Sequence, residues 1–223
     1  MKVAVLRFPG TNCEFDTQYA FEKLGYTTVL VWHKEEILPK DTDLVVIPGG
    51  FSYGDYLRSG SIAQFSPVMK AVVNYANRGG KVLGICNGFQ ILTEIGLLPG
   101  ALKRNNNLHF ISKLQKIQVV NNNNFFLSKC HKNEILNIPI AHADGNYYID
   151  DQGLKELEKN DQILLRYCDE AGGRVVVNGS VTSIAGICNK EKNVFGLMPH
   201  PERALELLLG SNDGIKMLQG FEQ

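Results

Sequence analysis

The segment that most restricts the fold is Lys81-Val82-Leu83-Gly84-Ile85-Cys86-Asn87-Gly88-Phe89-Gln90-Ile91-Leu92. An apolar strand of the buried type breaks at a Gly-x-Cys-x-Gly turn and continues with the spacing of an amphipathic helix. This is a nucleophile-elbow pattern with sulfur in place of oxygen. The two glycines permit a tight turn, which lifts the residue between them over the carboxyl ends of the strands, where open α/β sheets bind ligands. Cys86 then stands at a helix N-terminus that favours thiolate over thiol, and the Asn87 amide becomes a candidate oxyanion donor. A plain buried cysteine at the end of a core strand explains the same letters, because free cysteine is among the most buried residue types. Both readings stand on this segment alone.

Similar short apolar runs at 3–8, 28–32 and 44–47 end in Gly, Pro or polar residues, as buried parallel strands do. Between them lie helical patterns. The clearest puts Phe65, Val68, Met69, Val72, Val73 and Ala76 on one stripe and closes at Arg78-Gly79-Gly80. Strand, helix and strand repeated in this way predict a doubly wound, flavodoxin-like open α/β sheet, mainly parallel. After Gly100 the strand candidates shorten, at 114–120, 138–142, 163–168, 174–177, 184–189 and 194–198, and predict a mixed or antiparallel extension. Asn105 to Asn107 and Asn121 to Asn124 read as surface turns. No repeat or linker divides the chain, so residues 1–223 are expected to form one domain.

Lys plus Arg and Asp plus Glu each total 23, so no basic field is available to hold nucleic acid or an anionic membrane. Cys13, Cys86, Cys130, Cys168 and Cys188 are odd in number and never form a CxxC pair, which argues against a disulfide framework and a zinc site. Met1-Lys2-Val3-Ala4-Val5-Leu6 enters a strand directly, without a cleavable leader, and no run is long enough to span a bilayer. The expectation is a cytoplasmic protein.

A thiol nucleophile needs a base, and the base needs a third group that fixes its tautomer. Met198-Pro199-His200-Pro201-Glu202-Arg203 follows the last apolar strand and supplies both. In an extended segment His200 and Glu202 face the same side, so the carboxylate reaches the far ring nitrogen. A solvated turn before a helix is an equally good account of this string by itself. Val46-Ile47-Pro48-Gly49-Gly50-Phe51-Ser52-Tyr53-Gly54-Asp55 runs from a strand into a glycine-rich loop, and the Gly50 amide is the candidate for a second oxyanion donor. A plain turn fits Pro-Gly-Gly equally, whereas a phosphate loop would need the lysine that is missing. Cys13, after Phe8-Pro9-Gly10-Thr11-Asn12, is the rival nucleophile with Thr11 or Asn12 as helix cap, but it lacks a following glycine. His33, His109 and His131 read as ordinary surface residues, while His142 ends a strand two residues before Asp144. No His, Asp and Glu spacing suggests a metal centre.

The chain resembles the class I (triad) glutamine amidotransferases, whose hallmarks are Gly-x-Cys-x-Gly-x-Gln, here Gly84 to Gln90, and a late His-x-Glu, here His200 to Glu202. Further blocks in family order are residues 8–13, 49–58 and 98–102. Gly50-Phe51-Ser52-Tyr53-Gly54-Asp55 points to the branch that feeds ammonia to a purine-pathway synthetase. One departure is His142-Ala143-Asp144-Gly145, where the family pattern reads His-Gly-Glu-Gly.

The resemblance implies that Cys86 attacks the carboxamide of glutamine, that the Gly50 and Asn87 amides hold the oxyanion, and that His200, oriented by Glu202, serves as acid and base. It also implies substrate contacts from Gly50, Phe51, Gln90 and His142. No cofactor is expected in this chain. The ammonia goes to a large synthetase subunit that uses ATP and Mg, commonly with a small accessory subunit, and the isolated chain is expected to turn over slowly. Two other readings stay open. One is a cysteine hydrolase of the intracellular peptidase or deglycase kind, in which a His typically follows the cysteine. The other is an inactive docking module, of a kind that usually loses the cysteine or the histidine.

Overall fold

The structure is a computed structural model and describes residues 1–221. The chain opens with β1 (Lys2–Arg7), α1 (Glu14–Lys23), β2 (Thr27–Trp32), β3 (Leu44–Ile47), α2 (Pro67–Asn77), β4 (Lys81–Ile85) and α3 (Asn87–Glu94). These four strands pair in parallel in the order β2-β1-β3-β4. Val3 to Leu6 and Leu44 to Ile47 are fully buried. With helices covering both faces, they read as unbroken apolar runs rather than alternating ones.

The second half contains β5 (Ala101–Lys103), β6 (Ile111–Val119), β7 (Ile135–His142), β8 (Asn146–Tyr148), α4 (Asp151–Lys159), β9 (Ile163–Tyr167), β10 (Ile184–Cys188), β11 (Val194–Leu197) and α5 (Gly214–Leu218). The last strand returns to the middle. β11 lies parallel beside β4 and is followed outward by antiparallel β10, β9, β6 and β7, in one nine-stranded sheet. The expected mixed extension is present. β5 and β8 form a separate antiparallel pair.

Several local expectations are corrected. Residues 174–177 form no strand, only an isolated bridge between Cys168 and Arg174. β6 and β7 each begin three residues before the predicted start. Phe65 does not join the α2 stripe: it lies in a short 3-10 turn, is 78% exposed, and leaves Val68, Met69, Val72 and Ala76 to bury that face. The cap of α1 is Cys13 rather than Thr11 or Asn12, because Thr11 spends its hydroxyl on the Phe8 N–H. Helix α4 went unpredicted because only Leu157 is buried in it, too little for a stripe, although Asp150 caps it through the Gly153 N–H at 2.7 Å. Asn121 to Asn124 do form a turn, in which the Asn121 carbonyl Oδ1 accepts from Asn123 N–H. Among the described residues no helix is long and apolar enough to cross a membrane.

Candidate active site

Strand β4 ends at Ile85 and helix α3 starts at Asn87, so Cys86 alone turns the chain, with φ 52° and ψ −105°. That left-handed φ on a residue with a side chain stores about 1–3 kcal/mol of strain. Hydrogen bonds hold it: Cys86 N–H donates to Leu197 O at 2.8 Å, and Cys86 O accepts from Phe89 and Gln90 N–H at 3.0 and 3.1 Å. The flanking glycines serve close packing rather than an unusual φ. A Cβ on Gly88 would stand 1.9 Å from Ile47 O, and one on Gly84 would stand 2.6 Å from Gly88 O.

The pairing of Leu197 with Ile85 in β11 and β4 delivers His200, three residues on, to the same sheet edge. Although β7 is the far edge strand, Pro139 O accepts the His200 N–H at 2.8 Å, and the Cys86 thiol lies 3.7 Å from Ala141 O. The antiparallel half therefore bends back over the elbow. His200 Nδ1 is 2.6 Å from Glu202 Oε1, with both residues buried. The segment is not extended, as predicted, but a 3-10 turn from Pro201 to Arg203, in which Arg203 N–H donates to His200 O at 3.2 Å. Pro201 at its first position has the φ such a turn needs and no donor to lose. Burial pulls the His200 imidazole down, but Glu202 and the thiols of Cys86 and Cys13 outweigh it and hold its pKa well above the usual value. Its Nε2 is buried without a hydrogen-bond partner.

Gly49 lies where these groups meet. A Cβ there would be 2.7 Å from His200 Cε1, 3.2 Å from Cys13 Sγ and 3.3 Å from Cys86 Cβ. Gly50, at φ 137°, admits no side chain either, since its Cβ would stand 2.7 Å from Asn12 N. This glycine pair is laced to the β1–α1 segment: Phe51 N–H donates to Gly10 O at 3.0 Å and Cys13 N–H to Gly49 O at 3.3 Å. Gly50 and Asn87 thus flank the elbow, and Phe51, 44% exposed, stands on the rim.

Asn87 contributes more than the amide assigned to it by sequence. Its Oδ1 accepts from Ser52 N–H at 3.1 Å, and its Nδ2 donates to Gln90 Oε1 at 2.8 Å. Gln90 Nε2 in turn donates to Asp144 O at 2.8 Å, so Gln90 ties the 142–145 segment to α3. The Ser59 hydroxyl donates to Asp144 Oδ2 at 2.6 Å, which gives the shorter acid at this position a partner. Asp55, half-buried, is pushed up to about 6 by desolvation, with Asp144 adding to it against the Ser59 hydrogen bond.

His142 is buried and neither ring nitrogen has a hydrogen-bond partner; desolvation, then the charge of His200, hold its pKa down to about 4. Alternation along β7 puts it on the buried face with Leu136, Ile138 and Ile140. Two surface assignments are corrected. Asn105 is fully buried and bridges the turn after β7, donating to His109 O and His142 O and accepting from Gly145 N–H. His33 is buried beneath the glycine loop with its Nδ1 2.7 Å from the Tyr53 hydroxyl. His109 and His131 are exposed as expected.

Cys13, the rival nucleophile, lies in the same cleft, buried, with Arg203 Nη2 donating to its sulfur at 3.3 Å. Burial raises its pKa, partly countered by His200 and Arg203. Gly49 and the Asn87 side chain are the site features that sequence reasoning missed. The only signal for Gly49 was its place in the Pro-Gly-Gly string at the end of β3.

Residues 1–214 match the CobB/CobQ-like glutamine amidotransferase domain family. The chain is 70% identical to the phosphoribosylformylglycinamidine synthase subunit PurQ of Sulfurimonas denitrificans, over 99% of both chains. It is 69% identical to the protein of that name from Wolinella succinogenes, again over 99% of each. A solved structure of PurLQS from Thermotoga maritima contains a chain that matches at TM-score 0.88 and 42% identity, covering 99% of this chain and 96% of that one.

Proposed function

Because the chain belongs to the CobB/CobQ-like glutamine amidotransferase family, we propose that it is the glutaminase subunit of phosphoribosylformylglycinamidine synthase, in line with its PurQ relatives. It hydrolyses glutamine to glutamate and ammonia. The ammonia goes to an ATP-dependent synthetase subunit, which converts formylglycinamide ribonucleotide to formylglycinamidine ribonucleotide in purine biosynthesis. The observation that carries the mechanism is the buried His200–Glu202 pair at 2.6 Å beside the strained Cys86.

In our reading Cys86 Sγ attacks the side-chain carbonyl carbon of glutamine while its proton passes to His200 Nε2. The oxyanion is met by the amides of Asn87, at the start of α3, and Gly50. As the C–N bond breaks, His200 gives that proton to the leaving nitrogen, and ammonia departs from a γ-glutamyl thioester. His200 then takes a proton from water, whose oxygen displaces Cys86 sulfur to release glutamate. Glu202 keeps the proton on Nδ1 and stabilises the imidazolium. Gln90, Phe51 and His142 are assigned to the substrate side. Gln90 must exchange a present hydrogen bond to do so.

Cys86 is only 6% exposed, which supports slow turnover by the isolated chain until the synthetase opens or orders the glycine loop. A small accessory subunit belongs to the same proposal, as do ATP and Mg bound by the synthetase and no cofactor bound here. Five free cysteines favour a reducing, cytoplasmic location. The test is to label the protein with a γ-glutamyl-directed alkylator and assay the assembled synthase with glutamine or ammonium. A Cys86 adduct and a Cys86→Ala variant that keeps only ammonium-dependent synthesis are expected. Absence of both adduct and ammonia release, with the synthetase present, sinks the assignment.

A further inference from the structure

We propose that Cys13 is a positioning residue for the base: its thiol, held by Arg203 and Asn12, keeps the His200–Glu202 pair seated against the Gly49–Gly50 loop. This role rests on the glutaminase reading, in which His200 is the base, and it gives the rival nucleophile a different task. Sγ of Cys13, a ring nitrogen of His200 and a carboxylate oxygen of Glu202 lie within 4.8 Å of one another, and all three residues are buried. A Cβ on Gly49 would stand 3.2 Å from that sulfur and 2.7 Å from His200 Cε1, so thiol and ring edge share one wall.

His200 is fixed by its backbone N–H on Pro139 O and by Glu202 at Nδ1. A ring held at one nitrogen can still tilt about that bond, and the Cys13 sulfur, at the N-cap of α1, limits the tilt. The sulfur is itself held. Its S–H donates to Asn12 Oδ1 at 3.2 Å, it accepts from Arg203 Nη2 at 3.3 Å, and Cys13 N–H donates to Gly49 O at 3.3 Å. Arg203 is anchored in turn on Asp16 Oδ2, at 3.0 Å through Nε and 2.8 Å through Nη2. Because Arg203 follows Glu202 in the same 3-10 turn, these contacts tie the base to α1.

Burial raises the Cys13 pKa, which keeps the sulfur a thiol and leaves attack on the substrate to Cys86. The thiol still acts on the ring, adding to the influence of Glu202 and Cys86 that holds the His200 pKa up. His142, whose own pKa the charge of His200 depresses, faces the same ring from β7. Deleting the Cys13 sulfur therefore lowers the His200 pKa as well as freeing the ring.

The test compares wild type, Cys13→Ala and Cys13→Ser, each checked for folding by circular dichroism. In the assembled synthase, with ammonium-dependent synthesis as the reference, Cys13→Ala should lower the glutamine-dependent kcat by up to about a hundredfold. KM for glutamine should not change, the mark of an interaction that counts only in the transition state. Cys13→Ser keeps a small group that accepts from Arg203 and donates to Asn12, and should recover most of the loss. NMR titration of the His200 ring in the free chain should show a lower pKa in Cys13→Ala and one nearer wild type in Cys13→Ser. A γ-glutamyl-directed alkylator should mark Cys86 and not Cys13. If Cys13→Ala does not fold, Asp16→Ala, at a half-exposed position, frees Arg203 instead and should move the same readouts in the same direction. An adduct on Cys13, a folded Cys13→Ala variant with wild-type kcat or an unmoved His200 titration, or a serine variant no better than alanine overturns the proposal. The titration needs no glutamine, so a wild-type synthase that releases no ammonia while the Cys13→Ala titration shifts refutes the glutaminase reading alone.

Discussion

His200 Nδ1 and Glu202 Oε1 lie 2.6 Å apart inside a shell that leaves the two residues 2% and 3% exposed. At that burial the carboxylate sets both the tautomer and the charge of the ring. Glu202→Gln keeps the shape but exchanges an acceptor for a group that also donates. Glutamine-dependent synthesis should fall by about 10²- to 10⁴-fold with ammonium-dependent synthesis retained. Steady-state assays of the assembled synthase with each nitrogen source check this, and equal losses with both would refute it.

Gly49→Ala pushes a methyl group to 2.7 Å from His200 Cε1 and 3.2 Å from Cys13 Sγ. Side chains can yield there, so the fold should survive while glutamine turnover drops by at least roughly a hundredfold, in line with misplacement of a catalytic group by an ångström. Gly88→Ala meets Ile47 carbonyl oxygen at 1.9 Å, which is backbone and cannot yield. Its expected effect is loss of the folded protein, read as a collapse of soluble yield or of the cooperative thermal transition.

Asn87→Leu retains the backbone amide at position 87 but leaves Ser52 N–H and Gln90 Oε1 without their partner. Unpaired buried polar groups cost about 1–3 kcal/mol each. Faster hydrogen exchange at Ser52 and a lower kcat with glutamine are the expected readouts. Unchanged exchange would show that the side chain does not hold the loop.

His142 titrates near 4 when folded and near its ordinary 6.5 when unfolded. Between these values the unfolded chain binds the extra proton, so this residue destabilises the fold as pH falls from 6.5 towards 4, by up to about 3 kcal/mol. Asp55, raised to about 6, acts in the opposite sense, because there the folded state holds the proton. Raised His200 acts above this window: its stabilisation is full below its unfolded pKa near 6.5 and is lost as pH rises through the folded one, so it adds a constant between pH 6.5 and 4. The clean measurement is a difference. Urea unfolding of His142→Gln should lose less stability than wild type between pH 6.5 and pH 4, and parallel curves would refute the assignment.

Much of this was legible where chemistry and chain pattern coincide. The run 81–92 gave the elbow because a buried strand, two small residues and an amphipathic helix leave few other arrangements. His200 and Glu202 were legible as a pair, but the turn between them was not, since Pro201 suits both an extended segment and a 3-10 turn. Asn105 and His33 were misread because a polar residue carries no local sign of the carbonyls and hydroxyls that will surround it. His142 did carry a sign: the alternation Leu136, Ile138, Ile140 extends to it with period two. That Cys13 and Cys86 both border Gly49 depends on strand order in the sheet, which no local spacing encodes.

That strand order also dictates when the chemistry can begin. Because β11 inserts beside β4, the first four strands leave the ribosome with β4 as an open edge and with Cys86 lacking both the Leu197 carbonyl that anchors its turn and the imidazole that would activate it. On the proposed mechanism a chain that ends before β11 therefore lacks the base it needs to hydrolyse glutamine. β11 both closes the sheet beside β4 and leads into His200, so completing the sheet and bringing the proposed base to the thiol become a single event.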